Sequence, residues 1–150
     1  MNETNIKELD MQLIAEIEKD LRFISGYIKQ KGREILTNYT ITPPQFVALQ
    51  WLHELGDLTI GELSNKMYLA FSTTTDLVDR LEKNNLVKRY RDDKDRRVVR
   101  VHLLEEGIRI IDEVIKKRQH DLKKLLEQFS EEDVRILNEY LKKLHDSMKD

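Results

Sequence analysis

The side chains best equipped for chemistry lie between Ser72 and Arg97. Ser72-Thr73-Thr74-Thr75 is followed by Asp76 and, one helical turn later, by Arg80, and a second group, Lys94-Asp95-Arg96-Arg97, comes soon after. Ser72, Thr73 and Thr75 carry short hydroxyls that donate to phosphates or touch base edges, and a threonine methyl packs on a thymine methyl. Asp76 either accepts from a cytosine amine or pairs with Arg80 and holds that guanidinium for a guanine or a phosphate; the pair is the expectation, the alternative being two silent exposed charges. Lys94, Arg96 and Arg97 form a cationic tip suited to an A·T-rich minor groove, whose narrow walls concentrate negative potential. Asp95, two positions before Arg97, is placed to orient its guanidinium and so reduce the rotamer freedom lost on binding.

Catalytic and metal chemistry find little support. There is no Gly-rich phosphate loop, no Gly-x-Ser-x-Gly elbow, and no set of His, Asp and Ser spaced for a shared site. His53, His102, His120 and His145 form neither a His-x-x-x-His pair nor a His-Glu-x-x-His run. Cys is absent, which excludes disulfides, thiolate metal sites and cysteine-based redox sensing. No enzymatic activity, metal or cofactor is expected.

Hydroxyls and guanidiniums read DNA only if something stiff holds them, so the elements around them matter. Leu58-Thr59-Ile60 reads as a short strand, and Thr59 caps a short helix that turns Leu63 and Met67 inward. The next helix starts around Ser72 and buries Leu77, Val78 and Leu81, leaving Thr73, Asp76, Arg80 and Lys83 on one outward stripe. Asn84-Asn85 closes it, Asn being tolerant of the left-handed conformation. Leu86–Arg91 and Val98–Leu103 read as paired strands around the charged loop Asp92-Asp93-Lys94-Asp95-Arg96-Arg97. Helix, turn, helix and basic hairpin in that order make a winged helix-turn-helix, with one helix for a major groove.

Charge follows the same map. The net charge is −2, yet Ile60–Leu104 holds ten Lys and Arg against seven Asp and Glu, while the rest of the chain holds sixteen against twenty-one. With 150 residues, the chain suffices for one core burying roughly 70% of its unfolded surface, and one domain is expected. It has no run of about 18 apolar residues, and its start lacks the basic and apolar regions of a signal peptide, so a cytoplasmic protein without membrane contact is expected.

The flanks of this region are amphipathic. Leu9, Leu13, Ile17, Leu21, Ile24 and Ile28 recur at helical spacing in a segment ending near Asn38, after which Thr42-Pro43-Pro44 starts a helix through Phe46, Leu49, Trp51 and Leu52 that Gly56-Asp57 ends. After Gly107, Ile108, Ile111, Ile115, Leu122, Leu125 and Phe129 follow alternating heptad spacing, interrupted by Arg118. Ser130–Asp133 caps a last helix carrying Val134, Leu137, Leu141, Leu144 and Met148. A helix-turn-helix core is too small to cover three such stripes. The expectation is a homodimer whose first, fifth and sixth helices interleave, setting two reading helices about 34 Å apart, one turn of B-DNA; the alternative is an intramolecular bundle.

Several motifs resemble, in order, those of the multiple antibiotic resistance regulator (MarR) family: Thr42-Pro43-Pro44-Gln45-Phe46, Leu58-Thr59-Ile60-Gly61-Glu62-Leu63, Leu77-Val78-Asp79-Arg80-Leu81-Glu82-Lys83, Asp95-Arg96-Arg97 with Val98–Leu103, Glu105-Glu106-Gly107, and Phe129-Ser130-Glu131-Glu132. The resemblance covers almost the whole chain. It implies a mainly α, winged helix-turn-helix protein in which 1–38 and 105–150 are dimerisation helices and 39–104 binds DNA. It further implies a dimer on pseudo-palindromic double-stranded DNA, usually a repressor, often released by a small ligand. The family's reading positions fall on Ser72, Thr73, Thr75 and Asp76, and on Arg97 with its support Asp95. Near the dimer junction, Tyr39, Phe46 and Trp51, with Tyr27, are candidates to line a site for an aromatic or anionic effector, the competing role being core. Asp76 stands where a basic or small residue is common, Asn85 where Gly is usual, and Leu104 where a capping Thr is usual. The rival class is a winged-helix module that binds protein instead of DNA. Substituting Asp76 by Ala is expected to change the ranking of operator variants in a binding panel; an unchanged ranking marks Asp76 as silent.

Overall fold

The computed structural model describes residues 3–149, with side chains from 10 onward. The order is α1 (Glu3–Leu36), α2 (Pro43–Leu55), β1 (Leu58–Thr59), α3 (Ile60–Met67), α4 (Phe71–Lys83), β2 (Val87–Arg91), β3 (Val99–Leu103), α5 (Glu105–Leu126) and α6 (Glu131–Ser147). Two compact units divide between Val114 and Ile115, within α5. Among the described residues no helix is long and apolar enough to cross a membrane.

Local chemistry explains the starts. Thr42 caps α2 and Thr59 caps α3, each in a reciprocal box: Thr42 Oγ1 accepts from Gln45 N while Gln45 accepts from Thr42 N, and Thr59 and Glu62 do the same. Pro43 and Pro44 fill the first turn of α2, where no N–H is needed. Ser130 caps α6, accepting from Asp133 N at 3.1 Å. Asn85 takes φ 61° after α4, and the Leu86 N–H reaches back to the Leu81 carbonyl at 3.0 Å.

β1, β3 and β2 form an antiparallel sheet in that order, with Leu58 opposite Val101 and Arg89 opposite Val101 on the other side. The two-residue pleat turns Val87, Val101 and Leu103 inward and Lys88 and His102 outward. Phe46, Leu49, Leu63, Val78, Leu81, Val87, Val101, Ile111 and Val114 are all under 2% exposed and form the core on which the sheet and α4 rest. Met67, expected inward, is half-buried near the end of α3.

Three boundaries differ from expectation. α4 begins at Phe71, because the extended Ala70 is its N-cap and offers no side-chain cap, so Ser72 lies inside the first turn. Each hairpin strand begins one residue later than expected. α5 begins at Glu105, directly after Leu104 where a capping Thr is usual, and Gly107 in its first turn is a close-approach residue. A Cβ at Gly107 would stand 2.6 Å from the Leu86 carbonyl oxygen and 2.7 Å from Leu103 Cδ1, and the same Leu86 oxygen accepts from Leu104 N at 3.0 Å. Gly107→Ala is therefore expected to cost about 1–3 kcal/mol through overpacking, read as a lower urea midpoint; an unchanged midpoint would show that the α5 start shifts freely.

Candidate nucleic-acid interface

α4 presents its polar stripe as the spacing requires: Leu77, Val78 and Leu81 are buried, while Ser72, Thr73, Asp76, Arg80 and Lys83 are exposed. The threonines divide by role. Thr74 is fully buried and donates to the Ala70 carbonyl at 3.1 Å; Thr75 is half-buried and donates to the Phe71 carbonyl at 3.0 Å. With its proton committed, Thr75 leaves an acceptor and a methyl available, whereas Ser72 and Thr73 stand exposed at the helix tip. The expected Asp76–Arg80 pair is not formed among the described residues: both side chains extend into solvent, where holding two long chains together gains little.

The wing tip is tightly organised. Asp92 Oδ2 accepts from Lys94 N at 3.1 Å and Asp95 N at 3.0 Å, and its Oδ1 accepts from Arg100 Nε at 2.9 Å. The loop closes where Asp92 N donates to the Val98 carbonyl and Val98 N to the Asp95 carbonyl, each at 2.9 Å, and Arg91 Nη1 donates to the Arg96 carbonyl at 2.7 Å. Asp95 takes Arg97 Nε at 3.1 Å, Nη2 at 3.2 Å and the Arg97 backbone N–H at 3.1 Å, the brace expected from their spacing. The Arg97 side chain is nonetheless 91% exposed, oriented but open to a ligand. Arg100 draws the Asp92 carboxyl below its usual range, with the Asp95 N–H adding to it, and Arg97 does the same for Asp95.

Two further interactions anchor the wing, one to α4 and one to the start of β1. Arg89 on β2 reaches Asp79 at 2.6 Å and Glu82 at 3.0 Å through its guanidinium, and its backbone N–H donates to Glu82 at 2.7 Å. That backbone bond, followed by the guanidinium, holds the Glu82 carboxyl below its usual range despite partial burial. On the outer face of the sheet, Tyr90 donates to Asp57 at 2.6 Å and His102 Nδ1 lies 2.7 Å from the other Asp57 oxygen. Burial pushes the Asp57 carboxyl up, but Tyr90 and His102 outweigh it and leave it low. His102 sits at the base of the wing half-exposed, as one arm of this bridge.

A family model for MarR matches residues 41–99, from the start of α2 to the wing. Over 81% of its length the chain is 66% identical to YsmB of Bacillus subtilis (strain 168), named an uncharacterized HTH-type transcriptional regulator, covering 83% of that protein. The chain belongs to the MarR family. The MarR-family protein structure from Bacillus stearothermophilus superposes with a TM-score of 0.87 at 64% identity, over 92% of this chain and 96% of that one. The transcriptional repressor MdtR of B. subtilis (strain 168) is 31% identical over 80% of this chain and 77% of its own length. The fold is thus that of a DNA-binding transcriptional regulator of the MarR family.

The effector candidates separate. Phe46 is 1% exposed and belongs to the core; Tyr39 is half-buried and donates to Glu113 at 3.4 Å; Trp51 is half-buried with Lys66 Nζ 5.5 Å from its ring centre; Tyr27 is exposed on α1. Asp92, Glu82, Arg89 and Asp57 hold positions in the frame that residue spacing does not assign to them. Asp92 has a local signal, an Asp opening a polar loop; the others reach partners too distant along the chain for any spacing rule.

The brace separates two effects that mutation can distinguish. Arg97→Ala is expected to weaken duplex binding and lower the slope of log affinity on log salt by about one for each phosphate the side chain no longer reaches. Asp95→Ala keeps the cation and loses only its orientation, so affinity falls while the slope holds. Anisotropy titrations across a salt series decide; wild-type affinity and slope in Arg97→Ala would remove the wing from the interface.

Proposed function

We propose that the protein is a dimeric, cytoplasmic repressor that binds a pseudo-palindromic operator. Helix 72–84 enters the major groove and wing 91–98 the flanking minor groove, with Ser72, Thr73, Thr75, Asp76, Arg80, Lys94, Asp95, Arg96 and Arg97 as the reading and positioning set. The observation that carries this reading is an exposed polar helix tip and an open, oriented Arg97 on a single clamped frame. Bases are reached by the helix, phosphates and a narrow groove by the wing.

Pairing follows from what the chain leaves uncovered. On α1, Leu13, Ile17, Leu21, Ile24 and Ile28 are between 41% and 55% exposed, and on α6 Leu137, Leu141 and Leu144 are similarly open. Apolar stripes of that extent are stable in water only against a partner, and a second copy supplies matching stripes by symmetry. The regions 1–38 and 105–150 then serve dimerisation, and 39–104 serves reading; Leu9 lies outside the described side chains.

Release by a small ligand is part of the same reading. A groove of about 390 Å³ between α4 and the wing is lined by Ile60, Phe71, Thr75, Arg89, Arg97 and Val98 among others. Apolar walls with guanidinium groups suit a small aromatic anion, and filling the groove competes with DNA for Arg97. Selection from a random duplex pool, followed by gel shifts across a salt series, tests the function. The expected outcome is a two-fold symmetric site with half-sites about 10 base pairs apart and affinity that falls steeply with salt. Recovery of no preferred duplex, or binding indifferent to salt, would favour a protein-interaction module.

A further inference from the structure

We propose that Tyr68 and Phe71, at the turn joining α3 to α4, belong to the DNA contact surface, Tyr68 donating its hydroxyl to a phosphate and Phe71 packing against a thymine methyl. The proposal rests on the DNA-reading function above and adds two residues that neither the hydroxyl nor the charge pattern singles out.

Tyr68 supplies the first observation. It ends α3 in the left-handed conformation, φ 54° and ψ 41°, with its N–H directed at the Asn65 carbonyl and the Leu69 N–H returning to the Ser64 carbonyl at 3.1 Å. That turn is what glycine or asparagine makes at least cost, and Asn85 occupies the comparable position after α4. A tyrosine here carries steric strain, and its side chain gains nothing back from packing, since the residue is 95% exposed. Strain without compensating burial is what a residue kept for an external contact looks like.

Phe71 supplies the second. It is the first residue of α4, immediately before Ser72, and is 61% exposed although the buried face of the same helix lies a few residues on. It lines the groove shared with Thr75, Arg97 and Val98, so it stands between the helix tip and the wing. Because the tip of α4 is the part that enters the groove, the residues just before it lie along the groove wall, where phosphates run and thymine methyls project. The cations that share the groove with Phe71 are Arg89 and Arg97, of which Arg97 is 91% exposed. An aromatic ring beside an exposed guanidinium fits a duplex, which offers phosphates next to apolar base edges.

The duplex selected by wild-type protein provides the probe, so failure of the DNA-reading function shows itself first, as a wild type that selects nothing. With that duplex in hand, Tyr68→Phe is expected to bind about tenfold more weakly at an unchanged salt slope, because a neutral donor releases no counterion. Tyr68→Gly is expected to raise the melting temperature by about 2–4 °C, through relief of the turn, while binding still more weakly. Opposite movement of stability and affinity cannot come from a merely structural tyrosine. Phe71→Ala is expected to bind about fourfold more weakly. Replacing thymine by deoxyuridine, one position at a time, is expected to find a base whose methyl matters to wild type and not to Phe71→Ala. Wild-type affinity in Tyr68→Phe and Tyr68→Gly, or an equal deoxyuridine penalty with and without the Phe71 ring, would overturn the proposal and leave the two aromatics as a surface for a protein.

Discussion

Glu82 and Arg89 set the distance between the two parts of the molecule that meet DNA. One carboxylate near the end of the reading helix accepts both the backbone N–H and the guanidinium of a residue on the first wing strand, while Asp79, one turn earlier, takes the other side of that guanidinium. Because a backbone bond is included, the clamp fixes the strand itself and not only a side chain. Major and minor grooves are fixed in separation by the duplex, so a helix and a wing that drifted relative to each other would have to become ordered at the moment of binding, at a cost in affinity. Val78 and Leu81 of α4, Val87 of β2 and Val101 of β3 are buried in the core on which both elements rest.

Acidic residues of the reading region do structural work that the charge count hides. Asp79 and Glu82 hold Arg89, Asp92 organises the loop, Asp95 aims Arg97, and Asp57 ties Tyr90 and His102 to the start of β1. Arg97 is thereby left open to solvent with Asp95 behind it, whereas Arg89 is drawn into the frame and is less exposed than Asp79 or Glu82. Asp76, exposed on the reading stripe, forms no pair with Arg80, and Asp93 is exposed in the wing loop.

Much of this is legible in the sequence, and the divide has a physical basis. Caps at Thr42, Thr59 and Ser130, the left-handed Asn85 and the Asp95–Arg97 brace arise within four residues, and local spacing reveals them. Burial of Leu77, Val78 and Leu81 follows from helical period alone. Ala70 as a cap and Tyr68 in a left-handed turn escape because neither residue type advertises that conformation. The need for glycine at 107 also escapes, because its reason, the nearby Leu86 carbonyl, is brought close only by the fold. The Glu82–Arg89 clamp and the Asp57 bridge escape for the same reason, joining residues 7, 33 and 45 positions apart. Aromatic residues grouped as effector candidates separate because Phe46 is needed in the core.

Apolar faces on α1 and α6 and a polar, cationic reading frame thus make one demand from two directions: the first call for a second copy, and the second gains a symmetric target from it. Footprinting of the protein on its selected duplex, by hydroxyl radical for sugars along the minor groove and by dimethyl sulfate for guanine N7 in the major groove, tests that demand most directly. Two clamped readers on one dyad predict protections related by two-fold symmetry, with major-groove contacts about one helical turn apart and minor-groove protection outside each. A single one-sided patch, or protection confined to the major groove, would contradict the account.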